Sequence, residues 1–132
     1  MLVAKYKFDK SIYENLIPVF NDGYEGYTIS DEIDSENENY IIRTIESVNG
    51  ELPTKIIFGD NVDRDSDISI ENYGEQQLAL VEVKNVNMSN IISAMRMFKY
   101  CANMKKCHIN VGNKTTDIAA MFYHCNNLTS ID

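Results

Sequence analysis

Tryptophan is absent from this 132-residue chain, so eight Tyr and five Phe are left to anchor a core. Cysteine is scarce and odd in number. Cys101, Cys107 and Cys125 make no disulfide framework and read as free thiols. Basic residues are outnumbered, 12 Lys and Arg against 20 Asp and Glu, and the net charge of −8 argues against duplex nucleic acid as a partner. No segment approaches the ~18 consecutive apolar residues of a membrane span, so no membrane insertion is expected. The amino terminus, Met1 to Asp9, has no apolar run leading to a small-residue cleavage site, and a chain made in the cytoplasm without a secretory leader is expected. A Gly-rich phosphate loop, a Ser/His/Asp elbow and zinc-type spacing are all missing. The expectation is a protein with no cofactor, no metal and no catalytic centre.

What remains has an ordinary globular balance, 44% hydrophobic and 24% charged. Charge is divided unevenly along it. Residues 1–75 carry 17 acidic and 6 basic side chains, whereas residues 76–132 carry 3 and 6. That break predicts two regions, an acidic β-rich domain over 1–75 and a mildly basic one over 76–132. In the first, Leu2–Phe8, Tyr40–Ile45 and Thr54–Phe58 are rich in β-branched and aromatic residues and read as strands. One short helical turn is expected near Lys10–Leu16, an exposed loop over Asp31–Asn39, and a loop over Asp60–Asp67 before a short strand at Ile68–Ile70.

The second region contains a repeat. Met97-Phe98-Lys99-Tyr100-Cys101-Ala102-Asn103-Met104 recurs as Met121-Phe122-Tyr123-His124-Cys125-Asn126-Asn127-Leu128, every matched position offset by 24. A fixed period of this length signals stacked units. Ala94, Met97, Phe98 and Cys101, and likewise Ile118, Met121, Phe122 and Cys125, follow the i, i+3, i+4, i+7 spacing of one buried helix face. Helices are therefore expected over Ser89–Tyr100 and Asp117–Tyr123, with strands at Leu78–Val83, Cys107–Ile109 and Ile131. The whole reads as an α+β fold, an antiparallel β domain followed by a short strand–helix solenoid of about two units.

These residues carry a resemblance. Thr115, Ile118, Met121, Phe122, Cys125, Leu128, Ile131 and Asp132 match one repeat of the BspA-like leucine-rich-repeat surface proteins, and Met97, Phe98, Cys101, Met104 and Ile109 match the unit before it. The segments Ile17–Asn21, Arg43–Glu46 and Pro53-Thr54 look like the lead domain of such proteins encoded in clostridial prophages. The resemblance implies a leucine-rich-repeat-like fold and a role in surface binding or adhesion, with no chemistry. Since stacks of this kind generally need three or more units, the edge formed by Leu128 and Ile131 is expected to be covered by another subunit or another protein.

Cys101 and Cys125 fit equivalent holes in a core better than a redox or metal pair. Cys107 and His108 are neighbours on an expected strand and point to opposite faces, which disfavours a nucleophile and its base. Asp63, Asp65 and Asp67 alternate like the start of a calcium loop, but Ile68 and Gly74 stand where an EF-hand needs Gly and Glu. Arg96, Lys99, Lys105 and Lys106, with Tyr100 and Tyr123 beside them, form a candidate binding surface for an acidic protein or a cell-wall polymer of teichoic-acid type. The expected function is non-enzymatic: a virion component of a phage or phage-tail-like particle, in tail, baseplate or head surface, joined to its own copies or other virion proteins. The alternative is a cell-surface adhesin of the BspA-like type, or a fragment of one.

Overall fold

The computed structural model describes residues 1–59, 73–110 and 112–131. The expected calcium-like turn of Asp63, Asp65 and Asp67, the expected strand at Ile68–Ile70 and most of the loop ahead of it lie outside the described residues. Among the described residues, eight strands and one short helix follow in the order β1 Leu2–Asp9, β2 Val19–Phe20, β3 Tyr27–Ile33, β4 Tyr40–Ser47, β5 Ile56–Ile57, α1 Glu75–Ala79, β6 Leu80–Val86, β7 Lys106–Cys107 and β8 Ser130–Ile131. Six of them form one mixed sheet, β3-β4-β1-β6-β7-β8, and β2 pairs with β5 in a small second one. The antiparallel half, β3-β4-β1-β6, gives way to parallel pairs at β6-β7 and β7-β8.

Alternation builds the sheet. Val3, Ala4, Tyr6 and Phe8 of β1 are buried, while Lys5, Lys7 and Asp9 are only partly covered, the period-2 pattern of a strand with one face on a core. Register then carries one row across all six strands: Asp31, Arg43, Tyr6, Val83, Cys107, Ile131. The next row, on the outer face, runs Glu32, Ile42, Lys7, Glu82, Lys106, Ser130. Beneath the first row, Leu16, Phe58, Ile91, Met97, Phe98, Cys101 and Met104 complete the core.

The strand–helix solenoid is not what forms. The fold is mostly β, its one described helix is α1, and neither Ser89–Tyr100 nor Asp117–Tyr123 is helical. Both are chains of turns. Met97, Lys99, Cys101 and Met104 each send their N–H to the carbonyl three residues back, at 3.0–3.2 Å. Successive three-residue turns bury the same i, i+3, i+4, i+7 positions that a helix would, so the periodicity does not separate the two. What breaks the helix is visible in the dihedrals. Arg96 and Tyr100 have φ of 61° and 65°, and Ala120 and His124, 24 positions later, have 54° and 60°. Left-handed residues cannot continue a right-handed helix.

Other boundaries shift as well. Asp31–Ile33 belongs to β3 instead of a loop, α1 takes up the start of the strand expected at Leu78, and the strand expected at Thr54–Phe58 keeps two residues.

Candidate binding surface and assembly edge

The two M-F-x-x-C segments lie side by side. N–H groups of Ala94, Arg96, Phe98 and Tyr100 donate to the carbonyls of Asp117, Ala119, Met121 and Tyr123 at 2.8–3.0 Å. Side chains keep the same 24-residue step: Thr115 Oγ1 donates to the Ile91 carbonyl at 2.7 Å, and Thr129 Oγ1 to that of Lys105 at 3.0 Å. Phe98 lies between the rings of Phe58 and Phe122, with centroids 5.3 and 5.5 Å away. The thiols follow that order, Cys101 Sγ reaching the Phe58 carbonyl and Cys125 Sγ the Phe98 carbonyl, the latter at 3.1 Å. Phe58 therefore supplies a layer beneath the repeat, which the repeat arithmetic alone does not reveal.

The second segment covers the first, and its own outer flank is open. Ala94 is 1% exposed but its counterpart Ile118 is 59% exposed. Cys107 is 2% exposed but its counterpart Ile131 is 53% exposed. Phe122, Cys125 and Leu128 are partly covered. Sequence periodicity placed Ile118 on a buried stripe, whereas it faces outward. The backbone repeats the pattern: the N–H groups of Ile118, Ala120 and Phe122 have no acceptor among the described residues, although those of Ala94, Arg96 and Phe98 are all used. This flank presents a row of donors beside exposed apolar side chains, the features of an edge that accepts further chain.

The residues of the candidate binding surface fall in three places. Arg96 lines a cleft of about 610 Å³ with Val19, Phe20, Asp22, Lys55 and Met95. Lys99 is buried, its Nζ 5.0 Å from the Tyr100 ring centroid and 5.2 Å from that of Tyr123, a cation–π arrangement. Tyr100 is buried as well and packs on Tyr73 and His124, while Tyr123 sits at the surface 4.1 Å from the His124 ring. Lys105 and Lys106 are exposed at the start of β7, Lys106 between Glu82 and Ser130 of the outer row. Leu128 and Ile131 lie on the open flank described above.

Cys107 is buried and His108 exposed on the adjoining position. Burial pushes the Cys107 and Cys125 thiols up to about 12 and also holds the Cys101 thiol well above its ordinary value, because a thiolate is poorly solvated there. Among the described residues no three His, Cys, Asp or Glu side chains gather as a metal site, and no helix is long and apolar enough to cross a membrane. At the opposite edge of the sheet, Arg43 donates from Nε and Nη2 to the two carboxylate oxygens of Asp31 at 2.8 and 2.7 Å. Comparison with protein-family models, with curated proteins and with solved structures gives no match.

Proposed function

We propose that this chain is a non-enzymatic structural protein that assembles with copies of itself through the outer flank of its second M-F-x-x-C segment, as a component of a phage or phage-tail-like particle. One observation carries the assembly reading: Ile118 and Ile131 are exposed where their counterparts 24 residues earlier are buried, and the donor row at Ile118, Ala120 and Phe122 is open where the earlier row is used. A second copy is favoured as the occupant by charge. The amino-terminal 75 residues carry a net −11 and the remainder +3, a polarity that orients identical subunits towards one another. The particle setting rests on the resemblance of the repeat to BspA-like surface proteins, together with that of Ile17–Asn21, Arg43–Glu46 and Pro53-Thr54 to the lead domain of such proteins encoded in clostridial prophages.

Light scattering coupled to size exclusion over a concentration series tests the assembly. The wild-type chain is expected to form an oligomer, and the Ile118→Lys/Ile131→Lys variant to run as a monomer. A wild-type monomer at every concentration would remove the reading. Persistence of the chain with particles through a density gradient tests the particle setting separately.

A further inference from the structure

The six-stranded sheet has two unlike ends. At one, β8 and the turn segment before it offer Ile131, Ile118 and the N–H row. At the other, β3 is exposed along almost its whole length, with Ile29 and Ile33 on the core-facing side and Thr28, Ser30 and Glu32 on the outer side. The acidic residues Glu25, Asp31, Glu32, Asp34, Glu36 and Glu38 all lie in or beside β3, and no Lys or Arg lies between Gly23 and Asn39.

We infer that the surface receiving the open flank is the β3 edge of the next copy, so that subunits join head to tail and continue one sheet; this rests on the assembly reading above. Strand direction permits it. Counting across the sheet, β3 runs antiparallel to β8. A copy shifted along the sheet without being turned over therefore sets β3 against β8 as an antiparallel pair, core faces on the same side. Chemistry favours it. Ile131 lies in the same transverse row as Asp31, whose carboxylate is turned to Arg43, and the diagonal neighbours of Ile131 on the core face of β3 are the exposed Ile29 and Ile33. On the outer face, Ser130 has the exposed Lys106 beside it, opposite the register of Glu32. Lys106 and Glu32 then attract across the junction. Pairing β3 with a second β3 would instead set two acidic edges against each other, which like-charge repulsion opposes. Unlike edges also make the contact heterologous, so assembly gives rings or filaments and does not stop at a dimer.

Two edge variants decide the matter: Thr28→Lys/Glu32→Lys on β3 and Ile118→Lys/Ile131→Lys on the flank. All four positions are exposed, and a single cooperative thermal transition in each variant shows that it folds, its midpoint set beside wild type at a concentration low enough to keep all three chains monomeric. Each alone is expected to weaken self-association at least tenfold and run as a monomer by light scattering. Mixed in equal amounts they are expected to form a 1:1 dimer and nothing larger, since each retains one intact edge. Wild-type association should also weaken as salt is raised. If the flank variant is monomeric while the β3 variant associates like wild type, the flank pairs with itself and the head-to-tail arrangement is overturned, with the proposed function intact. The same arrangement fails if both variants are monomeric and the mixture stays so. Monomeric wild-type chain overturns both readings.

Discussion

Phe98 stacks on Phe122 with ring centroids 5.5 Å apart and planes 22° from parallel, across 24 residues of sequence. Phe58 stacks on the other side of Phe98 at 5.3 Å and 24°. The middle ring is fully buried and has an aromatic neighbour on each face, whereas Phe122 is only partly covered. The repeat is thus held by a column of rings whose inner members are sealed and whose outer member is not.

Truncating the column should therefore have graded effects. Phe98→Ala removes a buried ring and leaves a cavity between two others, and is expected to cost about 3–5 kcal/mol. Phe122→Ala should cost clearly less in the isolated subunit. Urea midpoints for the two variants provide the comparison, and equal losses would mean that the outer ring is as sealed as the inner one.

Ala120 sits at φ 54° and is exposed. A left-handed conformation costs a residue with a Cβ about 1–2 kcal/mol, which glycine avoids. Part of that gain is lost to the greater freedom of glycine in the unfolded chain. Ala120→Gly is expected to raise stability by up to about 1 kcal/mol, read as a higher denaturation midpoint with unchanged slope. A drop in stability would show that the turn does not depend on this dihedral.

Which parts of this fold were legible follows from the same residues. The strands at Leu2–Phe8 and Tyr40–Ile45 are readable because β-branched and aromatic residues are concentrated there, and the structure has β1 and β4 at those places. The 24-residue period was readable too, and it recurs in paired left-handed residues and in the bonds between the segments. Helix was the wrong inference from it, since a chain of three-residue turns buries the same positions. Gly normally marks a left-handed residue, and Arg96, Tyr100, Ala120 and His124 gave no such warning. β3 escaped notice because an edge strand exposed on both sides has no buried alternation to display. The grouping of the basic residues was beyond sequence reach: Lys99 lies only three positions from Arg96, yet it is buried on tyrosine rings while Arg96 lines a cleft.

Arg43 is buried at the other end of the transverse row, where its fork holds Asp31 and its Nη1 also donates to the Leu16 carbonyl at 3.1 Å. The Asp31 hydrogen bonds hold the guanidinium pKa above its ordinary value, against the opposing effect of burial. Lysine cannot reproduce a two-pronged contact. Arg43→Lys is expected to cost about 2 kcal/mol, in the range for hydrogen bonds to charged groups. Asp31→Asn should cost less, because Asp31 is 39% exposed and water can replace it. Chemical denaturation of both variants tests the order, and a larger loss from Asp31→Asn would contradict it.

The three thiols make stability fall in alkali. In the unfolded chain a cysteine ionises near 9, while burial holds Cys107 and Cys125 protonated to about 12 and raises Cys101 as well. Between these values the unfolded chain has given up protons that the folded chain keeps. Stability conferred by the raised thiol pKa is therefore complete below about pH 9 and declines as pH climbs towards 12, by at most about 1.4 kcal/mol per pH unit for each thiol. Tyr6, also raised by burial, adds to the decline above about pH 10. Comparing wild type with Cys125→Ala separates the contributions: the variant should start less stable at pH 7.5 and lose stability less steeply between pH 9 and 10.5. At pH 7.5 the same thiols should react with iodoacetamide far more slowly in the folded chain than in urea. Parallel slopes for the two proteins, or rapid alkylation of the folded chain, would mean that water reaches the sulfur atoms and that the repeat is looser than its ring column implies.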